Sequence, residues 1–453
     1  MTKEKTKKYE IDMCNGPVLK KMLIFAIPLI CSSVLQLLFN AVDVVVVGRF
    51  AGDNSLAAVG ATTSLINLLV NLFVGLSIGA NVLVARFYGA KQQNELDETV
   101  HTAIMISMIG GLFLTVVGVV FAPVFLEWMA TPANILELAA TYLRVYFLGM
   151  IPMLVYNYGA AILRAVGDTQ RPLYYLITAG VVNVTLNLFF VIVLHWGVFG
   201  VGLATTISQI VSAVLVTRCL LKGTGTITLI PKELKISKDK LLRIMKIGVP
   251  AGLQGILFAI SNVIIQSSIN SFGEIVVAGN SAAANIEGFI YVAMNSIYQA
   301  TISFTSQNYG AGKNDRISKI LFNGLGIVTV IGLAMGIGCY FAGPQLLSIY
   351  TDSPEVIAEG MVRFSYIALP YVLCGIMEVF VGSMRGLGYV MAPMIVSLIG
   401  ACVLRLIWIG TIFQMDQFHT ISMLYLIYPI SWIITTIAHI VTYVIIRKKM
   451  NDK

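Results

Sequence analysis

The amino-acid sequence repeats itself, and this repeat limits the possible fold more than any other feature. Two hydrophobic halves carry the same landmarks in the same order, separated by 221 or 222 positions. The paired landmarks are Ile27-Pro28 with Val249-Pro250, Tyr88-Gly89-Ala90 with Tyr309-Gly310-Ala311, and Arg164, Gly167 and Pro172 with Arg385, Gly388 and Pro393. A duplicated and strongly apolar chain is typical of membrane proteins built from two related helical bundles with a path between them.

Composition places both halves in a lipid bilayer. The chain has 453 residues, of which 57% are hydrophobic and only 11% are charged, whereas a soluble globular domain carries about 25% charged residues. Apolar runs of about 20 residues, the length that spans a bilayer as a helix, fill nearly the whole chain. There are twelve such runs, six in each half. They predict an all-α integral membrane protein with two six-helix bundles and no large soluble domain.

These runs also set the expected order of segments along the chain. Because six is an even number, both bundles begin and end on the same side of the membrane, which predicts a parallel internal repeat. We expect the linker between them to be exposed and to let the two bundles rock against each other. The expected segments are an N-terminal segment (1–21), an N-terminal six-helix bundle (22–221), a linker (222–240), a C-terminal six-helix bundle (241–446) and a C-terminal tail (447–453).

Basic residues predict the orientation of the chain. Nearly all of the 30 lysines and arginines fall in the two termini, the linker and the loops on one side of the apolar runs. This bias predicts that both termini are cytoplasmic and that the chain is a multi-pass protein of the cell inner (plasma) membrane. The net charge of +8 then requires no nucleic-acid partner, because attraction to anionic membrane lipid accounts for it.

Polar side chains on the first apolar run mark the leading candidate site. Gln36, Asn40 and Asp43 follow one face of a helix at steps of three and four residues. A carboxylate within a span is costly and usually faces a cavity or a partner, where it is suited to bind and release a cation. We therefore predict that Asp43 is an ion-coupling residue that binds and releases a proton. The alternative is a carboxylate at the membrane edge or one fixed structurally to Arg49.

Polar stripes on the second, fifth and sixth runs are expected to meet Asp43 in one wet cavity. Asn40, Asn183 and Asn187 are further ion-coupling candidates, whereas Gln36, Asn67 and Asn71 are candidates for substrate contact. The alternative is that the stripes form hydrogen bonds between helices, which membrane bundles also use. The full stripes are Thr63, Asn67 and Asn71 in the second run, Asn183 and Asn187 in the fifth, and Thr205, Ser208, Gln209 and Ser212 in the sixth.

The second half carries two intramembrane acids of its own. Glu287 shares a helical face with Tyr291, and Glu378 lies in the tenth run. Each is a candidate for substrate contact or ion coupling because an intramembrane acid is expensive unless it has a function or a partner. For Glu378 that partner would be Arg405. We expect Arg363, near the end of its run, to extend its charge towards the membrane surface.

Two prolines occupy equivalent places in the repeat. Pro28 and Pro250 each lie about one turn into the first run of their half. A proline inside a helix removes one backbone hydrogen bond and permits a bend, so we predict a conformational hinge at both positions.

Other classes of function find no support in the sequence. The six cysteines and four histidines are scattered, and no metal-ligand spacing, nucleophile elbow or phosphate-binding loop occurs. We therefore predict that the chain is not an enzyme, that it uses no metal or cofactor apart from a coupling ion, and that it acts as a monomer. Without a nucleotide site, an ion gradient would supply the energy.

Several longer motifs are spread over almost the whole chain. They are Gln36-Leu-Leu-Phe-Asn40-Ala-Val-Asp43 with Gly48-Arg49 and Leu56-Ala-Ala-Val-Gly60, Asn285-Ile-Glu287-Gly288, Gln307-Asn308-Tyr309-Gly310-Ala311-Gly312, Leu163-Arg164-Ala165-Val166-Gly167-Asp168-Thr169, and Met384-Arg385-Gly386-Leu387-Gly388. Together these motifs resemble the multidrug and toxic compound extrusion (MATE) family, and the pattern around Glu287 is similar to its DinF-like branch.

The resemblance implies export of organic, often cationic, compounds by antiport with H+ or Na+ through alternating access. It also implies that Asp43 is the family's first-span acid and Pro28 its bendable proline. The chain departs from the family pattern in two places: Asn187 stands where many relatives carry an acid, and the seventh-span acid of some relatives is absent, with Gln254 as the nearest polar residue. The alternative is a flippase for lipid-linked sugars from the same wider superfamily, but this would need a more basic cavity. A major-facilitator transporter is a weaker alternative, because the loop from Arg86 to Lys91 lacks that family's pattern.

Overall fold

The structure, a computed structural model, describes residues 9–223 and 226–452. Residues 1–8 of the N-terminal segment, residues 224–225 of the linker and Lys453 lie outside the described residues. The described part of the chain is helical and contains no strand. Its helices are α1 (Val18–Phe50), α2 (Asp53–Gly89), α3 (Gln93–Trp128), α4 (Ala133–Leu148), α5 (Met150–Ala165), α6 (Gln170–Leu188), α7 (Gly197–Lys222), α8 (Lys238–Asn270), α9 (Glu274–Gly310), α10 (Asn314–Phe341), α11 (Gly343–Leu347), α12 (Pro354–Arg363), α13 (Tyr371–Gly386), α14 (Met391–Ser397), α15 (Leu404–Gly410) and α16 (Ile421–Asn451).

The helices of the described chain account for the predicted membrane spans. Eleven helical segments are long and apolar enough to cross a membrane, and α4 with α5, bent by 47° at their junction, make a twelfth. Two of the eleven consist of two short helices joined by π-helical turns, at Phe364–Ala368 and at Leu398–Val403. The predicted all-α membrane fold is therefore confirmed.

The internal repeat is visible in the backbone as well as in the sequence. Gly52 and Gly273, directly before α2 and α9, have φ angles of 86° and 94°. Gly167 and Gly388, just after α5 and α13, have φ angles of 95° and 90°. Because side chains with a Cβ rarely adopt these angles, glycine permits the same chain reversal at matching places in both halves.

One compact unit, called unit 1 here, consists of the described residues 9–13 and 27–252. It contains α2 to α7, most of α1 and the first half of α8. Its core includes Leu83, Ile162 and Leu220, and Ile244 of α8 is buried in the same cluster. The apolar residues of these helices are thus buried against one another within the unit.

Glycines let α8 approach α2 closely inside unit 1. A Cβ on Gly75 would lie 2.3 Å from the amide nitrogen of Gly252, and a Cβ on Gly79 would lie 2.4 Å from the carbonyl oxygen of Ile244. A Cβ on Gly248 would lie 2.5 Å from the Cα of Leu76. Such small residues, spaced four apart on both helices, permit backbone-to-backbone packing of membrane helices.

The second compact unit, unit 2, consists of residues 14–26 and the described residues from 253 onwards. Its helix α9 packs against α10, α12 and α13, and α13 also packs against α16. Ile265, Met377 and Trp432 belong to its core. Phe25 of α1 meets Phe304 of α9 edge to face, with ring centroids 5.5 Å apart.

The two units differ from the two halves of the repeat at the first helix of each half. Helix α1 contributes its residues up to Ala26 to unit 2 and the rest to unit 1, whereas α8 contributes its residues up to Gly252 to unit 1 and the rest to unit 2. Pro28 and Pro250 lie close to these two points of change. The boundaries 22–221 and 241–446, taken from the repeat, therefore do not separate the compact units.

The linker is not exposed throughout, in contrast to the expectation from its lysines and glycines. Ile227 and Leu229 are buried in the core of unit 1. The amide of Ile230 donates a hydrogen bond of 3.0 Å to Nε2 of His101 on α3. The apolar side chains in this segment explain the difference, because burying them against unit 1 removes them from water.

Candidate functional site

Unit 1 contains a cavity of about 460 Å³. Five helices supply most of its wall, and a sixth contributes Asn67 and Val74. The lining residues are Gln36, Phe39, Asn40 and Asp43 from α1, Asn67 and Val74 from α2, Tyr142 and Tyr146 from α4, Met153, Tyr156 and Asn157 from α5, Leu176, Ala179, Gly180 and Asn183 from α6, and Thr205, Ser208, Gln209 and Ser212 from α7.

A chain of hydrogen bonds holds Asp43 in place at this cavity. The side-chain amide of Asn187 donates to Oδ1 of Asp43 and, at 3.5 Å, to Oδ1 of Asn183. Asn183 in turn donates to the hydroxyl of Thr205 at 3.4 Å. Asn187 is fully buried, so it supports the carboxylate from behind rather than from the cavity. The arrangement fixes one oxygen of Asp43 and joins α1, α6 and α7.

Helix α6 supplies this support because Asn183 and Asn187 are one helical turn apart and therefore share a face. Immediately after Leu188 the helix widens into a π-helical turn, Phe189–Val193. Turns of this kind are frequent at functional sites. The buried Oδ1 atom of Asn187 has no hydrogen-bond partner in the described structure, which leaves one oxygen available beside the carboxylate.

The residues predicted for this site are only partly brought together at the cavity. Gln36, Asn40 and Asn67 line it with Asp43, whereas the half-buried Asn71 is not among its lining residues. No ion pair joins Asp43 to Arg49 within the described residues; the carboxylate instead accepts from Asn187.

The sequence reasoning missed the aromatic wall of the cavity. Tyr142 and Tyr146, one turn apart on α4, lie with ring centroids 6.0 Å apart, and Phe39 and Tyr156 also line the space. The one-turn spacing of Tyr142 and Tyr146 was the only hint of this wall in the sequence. Aromatic side chains in a membrane span, however, face lipid or pack against helices just as readily as they line a cavity.

The cavity has the chemistry of a site for an organic cation. Asp43 is the one acidic side chain among the described lining residues, and none of those residues is basic. Aromatic faces attract cations, and a carboxylate adds a full negative charge. Amides and hydroxyls around them provide adaptable hydrogen-bonding groups.

Glu287 has a different environment in unit 2, where it forms a buried ion pair. Nη2 of Arg363 lies 2.7 Å from its Oε2, and Nε of Arg363 lies within hydrogen-bonding distance of both carboxylate oxygens. Asn280 accepts from Arg363 at 2.6 Å and from the Tyr425 hydroxyl at 3.1 Å. The expectation that Arg363 reaches for the membrane surface is wrong, because burying Glu287 requires a cationic partner.

Glu378 and Arg405 do not pair with each other in the described structure. Nε of Arg405 instead donates to the Ser431 hydroxyl at 2.9 Å, and its guanidinium lies 4.3 Å from the ring centroid of Tyr428. Glu378 is half-buried. Tyr291, predicted to share the face of Glu287, is 43% exposed, so it lies outside the Glu287–Arg363 network.

Comparison with known proteins links this architecture to one family. The MatE family model matches residues 28–189 and 250–409, one segment in each half of the repeat. The chain is 28% identical over 388 residues to the probable multidrug resistance protein YoeA of Bacillus subtilis (strain 168), covering 84% of each chain. It is 20% identical over 398 residues to the multidrug export protein MepA of Staphylococcus aureus (strain MSSA476), covering 87% of this chain and 88% of that one.

Solved structures show the same fold. A MOP superfamily transporter from Pyrococcus furiosus Vc1 (DSM3638) superimposes with a TM-score of 0.90 at 22% identity, covering 97% of this chain and 98% of that one. A MATE structure in complex with MaL6 has a TM-score of 0.91 at 22% identity and covers 97% and 99% of the two chains. Since the family model also matches most of both halves, the chain belongs to the MatE family of multi-pass membrane proteins.

Proposed function

We propose that this protein is a secondary active multidrug efflux transporter, which exports organic, often cationic, compounds by antiport with H+ or Na+. The observation that carries the proposal is the placement of Asp43 in an aromatic-lined cavity, with its carboxylate held by Asn187. Relatives described as multidrug resistance and export proteins support the same class of substrate.

Coupling follows from competition for one carboxylate. A cation bound at Asp43 neutralises the charge that would otherwise attract an organic cation, so ion and substrate occupy the cavity in turn. A tenfold gradient of a monovalent ion is worth about 1.4 kcal/mol, and a membrane potential of 100 mV adds about 2.3 kcal/mol per charge. A proton or sodium gradient can therefore drive export against a concentration difference.

The Asp43 carboxylate can bind either a proton or Na+. A proton needs only the Asp43 carboxylate, whereas Na+ prefers several oxygen ligands. The Asn187 amide nitrogen contacts the carboxylate, and oxygen atoms of Asn183 and Thr205 follow further along the hydrogen-bond chain. Amide orientation is set by such networks, and a flipped Asn187 would present its oxygen to an ion.

The test measures efflux of a fluorescent organic cation from proteoliposomes, with a pH gradient and a Na+ gradient imposed separately. We expect one gradient to drive efflux by the natural protein and Asp43→Asn to abolish that coupled efflux. Glu137→Gln is the matched control, because it removes an exposed carboxylate of α4 that does not line the cavity. Size-exclusion chromatography checks that each variant folds.

Two outcomes would overturn the proposal. If Asp43→Asn transports at the natural rate under either gradient, the carboxylate does not couple ion and substrate. If neither gradient drives any cation, the flippase for lipid-linked sugars becomes the leading function. The absence of basic side chains among the described lining residues argues against that alternative, since pyrophosphate groups are usually bound by arginine or lysine.

A further inference from the structure

A second cavity in the described structure has no place in the proposed transport reaction. It lies in unit 2 between α10 and the C-terminal end of α16, and has a volume of about 490 Å³. Leu321, Phe322 and Val444 give it an apolar flank. Its polar lining consists of Ser318, Tyr443, Arg447, Lys448 and Asp452.

Polar groups of this second cavity lack partners in the described structure. Nη1 of Arg447 is buried without a hydrogen-bond acceptor, whereas its Nη2 donates to the carbonyl of Asn314 at 3.2 Å. Tyr443 is only 8% exposed, and its hydroxyl, beside those of Ser318 and Ser383, makes no hydrogen bond of standard geometry. Buried donors are nearly always satisfied, so an acceptor is expected here.

The charge of the cavity indicates that this acceptor is an anion. Arg447 and Lys448 supply two positive charges and Asp452 one negative charge, and no ion pair joins Asp452 to either cation in the described residues. A guanidinium with one N–H already fixed and another free is suited to a phosphate oxygen, which accepts hydrogen bonds strongly. A tyrosine hydroxyl provides a second donor.

The apolar flank indicates where the phosphate comes from. Phe322 is 70% exposed and Val444 is 58% exposed. On α16 an apolar run ends at Ile446 and is followed directly by Arg447, Lys448 and Lys449. Such a change from apolar to basic residues marks the boundary between acyl chains and headgroups. A free phosphate would gain nothing from the apolar wall, whereas a phospholipid would cover it.

From this geometry we propose that the cavity between α10 and α16 binds the phosphate group of an anionic phospholipid, with its acyl chains against Phe322 and Val444. The residues that line this cavity do not line the Asp43 cavity. The proposal therefore does not depend on which ion drives transport.

The experiment uses the full-length protein in nanodiscs of phosphatidylcholine, to which phosphatidylglycerol is added in increasing proportion, and native mass spectrometry counts the retained lipids. We expect one retained phosphatidylglycerol, and about tenfold weaker retention in Arg447→Gln. Tyr443→Phe, which removes a single oxygen, should weaken retention by a smaller factor. Lys449→Gln is the matched control, since it removes the same charge from an exposed residue that does not line the cavity.

Three results would overturn the proposal. Equal loss in Lys449→Gln and Arg447→Gln would show a diffuse electrostatic attraction instead of a built site. Equal retention of phosphatidylcholine and phosphatidylglycerol would show that the negative charge is not recognised. Displacement of the lipid by millimolar inorganic phosphate would show that free phosphate is the ligand.

Discussion

Glu287 and Arg363 show how an intramembrane acid can serve the fold of unit 2. Their buried ion pair leaves little capacity on Glu287 for an external ion. Glu287→Gln should therefore destabilise the protein by about 3–5 kcal/mol, because Arg363 would remain buried and unpaired. The double variant Glu287→Gln with Arg363→Met should recover part of that loss. Thermal unfolding in detergent measures both effects.

The competing explanation for Glu287 predicts a different pattern. If Glu287→Gln unfolds at the natural temperature but loses ion-driven efflux, the carboxylate belongs to the transport site and the ion pair is incidental. Efflux from proteoliposomes, measured beside the unfolding temperature, separates the two.

The sequence predicted which residues share a helical face better than which residues meet between helices. Helical spacing placed Gln36, Asn40 and Asp43 on one face, and all three line the same cavity. Contacts within one helix follow from its period, so they are readable from the chain alone. The partner of Glu287 lies 76 residues away, and only the packing of whole helices brings such residues together.

The crossing of α2 and α8 depends on glycine at Gly75. Gly75→Ala should destabilise unit 1 by about 1–3 kcal/mol, because the added Cβ would push the two backbones apart. Gly60→Ala, in the same helix, is the control, since a Cβ at Gly60 meets nothing within 4 Å. It should be neutral or slightly stabilising. Equal unfolding temperatures for the two variants would contradict the close packing.

His101 holds the linker on α3 through a hydrogen bond that its ring nitrogen accepts from a linker amide. Its Nδ1 lies 2.6 Å from the carbonyl of Asp97, which makes Nδ1 the donor and leaves Nε2 to accept from the Ile230 amide. His101→Phe should therefore speed hydrogen exchange of the Ile230 amide by at least about tenfold.

The control for the linker is Thr102→Val. The Thr102 hydroxyl accepts from the Ser237 amide at 3.0 Å, so this variant should expose Ser237 and leave Ile230 protected. Unchanged exchange at Ile230 in His101→Phe would mean that burial of Ile227 and Leu229 alone holds the linker.

The sequence predicted the long helices well, because their length and apolarity identify them. It predicted the short linker segment poorly. Each long helix follows from an apolar run that only a membrane can solvate. The linker has lysines and glycines typical of exposed chain, yet Ile227 and Leu229 are enough to bury part of it. Ile227 and Leu229 alternate with threonines over only four residues, which is too short a pattern to predict a buried segment.

At the scale of the whole molecule, Pro28 and Pro250 lie where α1 and α8 change from one compact unit to the other. Each proline leaves one backbone carbonyl of its helix without an amide donor, which lowers the cost of bending. We expect Pro28→Ala to slow ion-driven efflux several-fold, while the restored hydrogen bond raises stability by about 0.5–1.5 kcal/mol.

Pro123→Ala provides the matched control for this hinge. Pro123 lies inside α3, where both ends of the helix belong to unit 1. Similar slowing in both variants would indicate a general effect of proline loss, and an unchanged rate in Pro28→Ala would exclude a hinge at Pro28. Initial efflux rates and unfolding temperatures decide between them.

The repeat predicted two related six-helix bundles, and the family match in both halves agrees with that duplication. It could not predict that α1 and α8 each contribute to both compact units. A repeat records which segments are alike, whereas the partner of each segment depends on three-dimensional packing. The glycines at 75 and 79 in α2 and at 248 and 252 in α8 were a local sign of this contact, because small residues four apart mark close helix packing.

The sharing of α1 and α8 has a consequence for biosynthesis. Unit 1 lacks part of its core until the ribosome has released residues 238–252. Residues 14–26 belong to unit 2 but leave the ribosome before residues 27–252 of unit 1, although unit 2 is completed last. Neither half of the gene encodes a finished unit. If the chain were divided at the linker, each of the two polypeptides would enter the membrane without a helical segment that its compact unit needs. Both units would be complete only when both polypeptides are present in the same membrane.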